Sequence, residues 1–129
     1  MWGFLFLKKT ANRIIMCGRY VNKNTIDDLT NFFGPKFSVD ISSQLNQSYN
    51  ICPTQYSPIL FKSMDGLKLE DMSWGLIPSW SKDNSFASKL INARVETIEE
   101  KPSFKNLVKK NRCVVIANGY YEWITTAEG

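Results

Sequence analysis

At 129 residues the chain is long enough for one domain with a real core and short for two. Hydrophobic residues make up 43% and aromatic residues 13%, which excludes a disordered chain. Sixteen Lys and Arg against twelve Asp and Glu give a formal charge of +4, compatible with a polyanion partner and equally with an ordinary solvated surface. Histidine is absent, which excludes Ser-His and Cys-His catalytic pairs and His-containing zinc sites within these residues.

The chain opens on an apolar run, Met1-Trp-Gly-Phe-Leu-Phe-Leu7. It is too short to span a bilayer, which takes ~20 apolar residues. It also lacks the basic start and small-residue cleavage site of a secretory signal. The reading favoured for residues 1–15 is a mis-assigned start, with an anchor or a processed leader as alternatives.

Arg19 to Asn22 then read as a short strand. Asn24 and Thr25 offer N-cap oxygens to a helix whose apolar positions, Ile26, Leu29, Phe32 and Phe33, recur at helical spacing until Gly34 and Pro35 stop it. Residues 42–49 are polar and read as a surface loop, and Pro53 and Pro58 interrupt the next region. Ile59-Leu60-Phe61 and Leu67 to Met72 resemble two strands joined around Asp65-Gly66, a strong hairpin signal. Trp74 to Trp80 read as an irregular aromatic loop holding Gly75 and Pro78.

Thr97 is placed to cap a second helix, with Phe104, Leu107 and Val108 as its apolar stripe. Cys113-Val-Val-Ile-Ala117 is a candidate buried strand, Asn118-Gly119 turns the chain, and Tyr120 to Trp123 extend again. Short strands mixed with segregated helices give an α+β class. The three cysteines, Cys17, Cys52 and Cys113, form no C-x-x-C pair, and their odd number points to a reducing compartment.

Cys17 directly follows Met16. If it became a chain terminus, it would carry an α-amine (pKa about 7.7–8.0) and a thiol (pKa about 8.5) on adjacent carbons. Such a pair condenses with an aldehyde to an imine, which the thiol closes into a thiazolidine. Glu122 lies among Tyr120, Tyr121 and Trp123, where desolvation would raise its pKa toward proton transfer; a solvent-facing strand position is the simpler alternative. Asn92 and Arg94 alternate with Ile91, Ala93 and Val95 and share a face if this is a strand. An amide and a guanidinium there suit an oxygen-rich ligand, and an Arg94 paired with Glu96 or Glu99 is the alternative. Trp74, Trp80 and Trp123, with Pro53 and Pro78, offer flat faces for unstacked bases, with Arg19, Lys82, Lys89 and Arg94 as phosphate-directed charge. Lys105, Lys109, Lys110 and Arg112 read as a solvated helix face. Cys52 and Cys113 read as small packed hydrophobes.

Six blocks occur in order: Met16-Cys-Gly-Arg-Tyr, Tyr49-Asn-Ile-Cys-Pro-Thr-Gln55, Trp74-Gly-Leu-Ile-Pro-Ser-Trp80, Ile91-Asn-Ala-Arg-Val-Glu-Thr97, Glu100-Lys-Pro-Ser-Phe104 and Arg112-Cys-Val-Val-Ile-Ala-Asn-Gly-Tyr-Tyr-Glu-Trp123. Together they resemble, without a gap, the SRAP family of SOS-response-associated peptidases, or abasic-site-processing proteins. The resemblance implies a curved β-rich core with flanking helices over residues 16–129, following an extension at 1–15. It implies binding of single-stranded DNA at an abasic site and a covalent crosslink to it, with autoproteolytic exposure of Cys17. Cys17 matches the thiazolidine-forming residue, Asn92 the amide that holds this terminus and the sugar, and Glu122 the proton-transfer group. Arg19 and Arg94 match DNA-backbone contacts, and Pro53, Trp80 and Trp123 match residues around the DNA or the rim of the site.

Family members continue past the Glu-Trp motif and carry a catalytic histidine there, so the chain is expected to be truncated at its C-terminus. With residues 1–15 attached, the Cys17 nitrogen is an amide and forms no imine. Cys52 stands where the family usually has a small apolar residue. No cofactor, metal or membrane is expected, the chain is expected to be a monomer, and its place would be the bacterial cytoplasm with the nucleoid or a eukaryotic nucleus. A non-catalytic single-stranded DNA-binding module and an inactive gene fragment are the rival readings.

Overall fold

The computed structural model describes residues 3–4, 6–8, 17–37 and 45–122. Among these described residues there are nine strands, one α-helix and one 3-10 turn. They run β1 (Gly3–Phe4), β2 (Phe6–Lys8), β3 (Arg19–Asn22), α1 (Ile26–Phe33), the 3-10 turn Gly34–Lys36, β4 (Ser48–Ile51), β5 (Tyr56–Ser63), β6 (Gly66–Trp74), β7 (Asn92–Arg94), β8 (Cys113–Val115) and β9 (Gly119–Tyr121).

Where the sequence signal is local, the element follows it. The strand at Arg19–Asn22 and the helix after it stand where they were expected. Thr25 caps α1: its hydroxyl accepts from the Asp28 N–H at 3.1 Å, while its own N–H donates to the Asp28 carboxylate at 2.8 Å. These bonds from the Thr25 N–H and then its hydroxyl hold the Asp28 carboxyl below its usual range. Gly34, at φ 65°, ends the helix in a conformation that suits glycine.

The expected hairpin is present and longer than its apolar runs suggested. β5 and β6 pair antiparallel from Tyr56↔Ser73 to Ser63↔Gly66. Pro58 does not interrupt β5; it pairs with Asp71 and lies just outside the Ile59–Phe61 stretch that bonds β8, so its missing N–H costs that ladder nothing.

Three expectations need correction. The loop at 42–49 gives way at Ser48 to β4, because Tyr20 and Asn22 of β3 offer Ile51 and Ser48 an antiparallel partner; its first residues, 42–44, fall outside those described. The second helix does not form, so a single α-helix stands among the described residues. Thr97 to Asn111 instead make successive single turns, closed by Lys101 N–H to Thr97 O, Lys105 to Lys101, Val108 to Phe104 and Asn111 to Leu107. Pro102 lacks an N–H and so breaks the helical ladder. Finally, the buried strand at 113–117 shortens to Cys113–Val115, and only one face of it is covered. Cys113 and Val114 are exposed, Val115 is half-buried and Ile116 is buried.

The described strands form three sheets, in orders β1-β6-β5-β8, β2-β7 and β4-β3-β9. Period-two alternation along β5 joins two cores. Ile59 packs with Tyr20, Ile51 and Trp74, whereas Leu60 faces the other way, onto Leu29 of α1, Phe37 and Ile116. A third cluster holds Ala93 of β7 against Leu76, Ile98 and Phe104. The chain can pass from β6 into that cluster only because residue 75 is glycine. Its φ is 130°, and a Cβ there would lie 2.0 Å from the Ala87 carbonyl oxygen.

Candidate functional site

β3 and β7 carry three of the residues that the sequence singled out, Arg19, Asn92 and Arg94. Cys17, half-buried, lies two residues ahead of β3 and packs on the Tyr20–Ile51–Ile59–Trp74 core. Its thiol lies 3.9 Å from the Arg19 carbonyl oxygen. Asn92 opens β7, and its side-chain amide donates to the Cys17 main-chain oxygen at 2.9 Å. The Asn92 Oδ1 is enclosed and accepts no hydrogen bond, which leaves an acceptor to spare beside Cys17. The alternation expected for β7 holds: Ala93 is buried, while Asn92 is half-buried and Arg94 exposed on the opposite side.

Tyr20 forms the floor under Cys17. It is fully buried, and its ring meets Trp74 edge-on at 5.4 Å between centroids. Burial pushes the phenol pKa up to about 12. Trp74 therefore presents no platform to a base, since it is completely enclosed and its Nε1–H donates to the Ile91 carbonyl at 3.0 Å. This bond and the one from Leu76 N–H to Leu90 O at 2.9 Å tie the end of β6 to the start of β7.

Arg19 lies on the exposed face of β3. Its Nη1 donates to Asn50 Oδ1 at 2.7 Å and approaches Cys52 Sγ at 3.3 Å, so two side chains of the neighbouring segment fix the guanidinium. Cys52 is thus a half-buried neighbour of a cation and not the packed hydrophobe expected of it. Pro53 occupies the second position of a tight turn closed by Gln55 N–H to Cys52 O at 3.2 Å, with Thr54 at φ 71° in the third.

Glu122 is half-buried and follows directly on β9, whose Tyr121 stands opposite Arg19. It is one residue beyond that pair on its strand, as Gly18 is on β3. Trp80 is 56% exposed and meets Phe86 edge-on at 5.0 Å. Lys82 and Lys89 are exposed as well. Trp123 lies outside the described residues.

Several neighbours were not singled out as site residues from the sequence, although Tyr49, Asn118 and Tyr121 lie within its motif blocks. Tyr121 crosses the β3 strand to donate its hydroxyl to the Tyr49 carbonyl at 3.0 Å, and the Lys23 ammonium sits 4.9 Å over the Tyr49 ring. Both tyrosines are more than half exposed. β9 is held in place by Asn118, which bonds the Val21 carbonyl and the Asn24 side chain. Among the described residues no cluster of Cys, Asp and Glu could hold a metal ion, and no helix is long and apolar enough to cross a membrane.

Residues 16–129 match the family model for SOS response associated peptidase (SRAP). The chain belongs to the SRAP family. It is 36% identical over 111 residues to the abasic site processing protein YoqW of Bacillus subtilis, an alignment covering 84% of this chain and 48% of that one. It is 38% identical over 96 residues to the abasic site processing protein YMR114C of Saccharomyces cerevisiae, covering 73% and 25% respectively. The mouse abasic site processing protein HMCES is 45% identical over 89 residues, covering 59% and 25%. This SRAP chain thus spans about half the length of the Bacillus relatives it matches.

Proposed function

We propose that this SRAP protein acts in DNA repair by recognising abasic sites in single-stranded DNA and crosslinking to them through Cys17. The observation that supports this best is the Asn92 bond to the Cys17 carbonyl, which fixes the one residue able to present an amine and a thiol to an aldehyde. The proposed domain begins at residue 16, and exposure of Cys17 by cleavage of the Met16–Cys17 bond is part of the same reading.

With its amine free, Cys17 would attack the aldehyde of the ring-opened abasic sugar and lose water to give an imine. The thiol would then add across the C=N bond, forming the C–S bond while its proton passes to the nitrogen. Glu122 is the proposed proton carrier for both steps. The spare Asn92 oxygen is suited to accept from the attacking amine or from a sugar hydroxyl. Arg19, Arg94, Pro53, Trp80 and Trp123 are the proposed DNA contacts, the cations for phosphates and the flat side chains for bases.

The test is to mix protein beginning at Cys17 with single-stranded DNA carrying one abasic site and to look for a heat-stable adduct in a denaturing gel. The expected result is an adduct that disappears with Cys17→Ala. No adduct, or one that survives the substitution, would sink the proposal. Salt-sensitive binding without any adduct would instead favour a DNA-binding module.

A further inference from the structure

The short segment ahead of Cys17 makes two successive parallel strand pairings with the body of the protein. β1 pairs with the end of β6, Gly3 with Ser73 and Phe4 with Trp74. β2 then pairs with β7, Phe6 with Asn92, Leu7 with Ala93 and Lys8 with Arg94. The two receiving edges adjoin each other because Trp74 and Leu76 bond the Ile91 and Leu90 carbonyls. Among the described strands β7 has no partner except β2, and the outer edge of β6 is covered only by β1. An extended segment that satisfies two otherwise open edges is a docked strand of the kind that proteins use to recognise peptides.

The position of this strand matters more than its existence. β2 runs the full length of β7, at ladder spacing of about 4.8 Å, beside Asn92 and Arg94. Asn92 is the residue that holds Cys17, and residues 9–16 connect the docked strand to that same cysteine. The segment therefore acts on the site in two ways. It makes the Cys17 nitrogen an amide, and it occupies the flank of the strand that would meet DNA.

We propose that β1 and β2, residues 3–4 and 6–8, form an inhibitory strap, seated in cis on the β6–β7 edge, that closes the Asn92–Arg94 strand to single-stranded DNA until it is displaced. This rests on the DNA-binding reading above and adds its regulation. The β6–β7 edge is then an acceptor for an extended peptide backbone in parallel orientation, and residues 3–4 and 6–8 are its occupant.

The test compares the whole 129-residue chain with its Leu7→Pro variant, since proline removes an N–H and is poorly tolerated in a paired strand. Amide hydrogen exchange is followed at residues 92–94. In parallel, binding is measured for a single-stranded oligonucleotide bearing a tetrahydrofuran abasic analogue, which has no aldehyde and cannot crosslink. The expected result is exchange faster by roughly ten-fold and a Kd lower by roughly ten-fold in the variant, as for a site that is open a tenth of the time. A synthetic peptide of residues 1–10, added to the variant, should reverse both changes, which it could not do for a misfolded chain.

Unchanged exchange would overturn the docked strand. Faster exchange with an unchanged Kd would overturn the inhibition. If neither chain binds the oligonucleotide at low salt, the DNA-binding reading and the inhibition built on it both fall, while exchange still decides whether the strand is docked.

Discussion

The Asn92 side-chain amide donates to the Cys17 carbonyl oxygen at 2.9 Å, joining residues 75 positions apart. Cys17 is thereby anchored on the side away from its nitrogen, the atom the proposed chemistry must leave free. In protein beginning at Cys17, Asn92→Ala removes an anchor worth about 1–1.5 kcal/mol. The initial rate of adduct formation with abasic-site DNA should fall roughly ten-fold. Asn92→Asp, which faces the carbonyl with a second acceptor, should lower it further. Timed gel quantification of the adduct checks both, and equal rates in all three proteins would remove Asn92 from the mechanism.

Arg19 is held by Asn50 at 2.7 Å, so the two residues should affect DNA binding differently. Arg19→Ala removes a charge and should reduce the salt dependence of single-stranded DNA affinity, by about one in the slope of log K against log salt. Asn50→Ala leaves the charge and releases its geometry, so affinity should drop a few-fold with the slope kept. Fluorescence anisotropy titrations at four salt concentrations would separate the two.

Gly75→Ala places a methyl group against the Ala87 carbonyl, in a backbone conformation that side chains rarely adopt. Backbone cannot yield as a flexible side chain does, so the loss should reach about 2 kcal/mol or more. Urea unfolding followed by tryptophan fluorescence would show the midpoint moving down.

Tyr20 sets an alkaline limit. Its phenol is neutral in the fold up to a pKa of about 12, against an ordinary value of 10.0. The neutral form is the one that folding favours, so this contribution is complete below about pH 10. It is lost as pH rises from about 10 toward about 12, at up to roughly 1.4 kcal/mol per pH unit. Tyr20→Phe cannot ionise, and its stability should fall less steeply over that window in pH-dependent urea melts. Identical slopes would show that Tyr20 is not the group responsible.

Much of the chain could be read without a structure wherever the deciding interactions are short-range. Thr25 and Asp28 are three residues apart, so the cap and the start of α1 lie in the local sequence. Asp65-Gly66 likewise marks the hairpin between β5 and β6. The second helix failed for a reason also present in the sequence: Pro102 interrupts the ladder, although Phe104, Leu107 and Val108 keep a helical apolar stripe. Trp74 is different: an aromatic side chain looks the same in sequence whether it faces a base or the core, and only the packing of Tyr20, Ile51 and Ile59 around it makes it a core residue.

By itself the sequence determined the family, through six ordered blocks, and the local elements that caps, turns and period-two alternation dictate. It also singled out the side chains proposed for the chemistry: the amine and thiol of Cys17, the amide of Asn92 and the carboxylate of Glu122. The tertiary structure decided how some of them meet. Sheet pairing and side-chain packing act across the chain, so no local pattern encodes the Asn92 bond to Cys17, the Asn50 grip on Arg19, or the laying of β1 and β2 along β6 and β7. The apolar start that read as a mis-assigned beginning pairs with the very strand that carries Asn92 and Arg94, because open backbone edges take up any extended segment within reach.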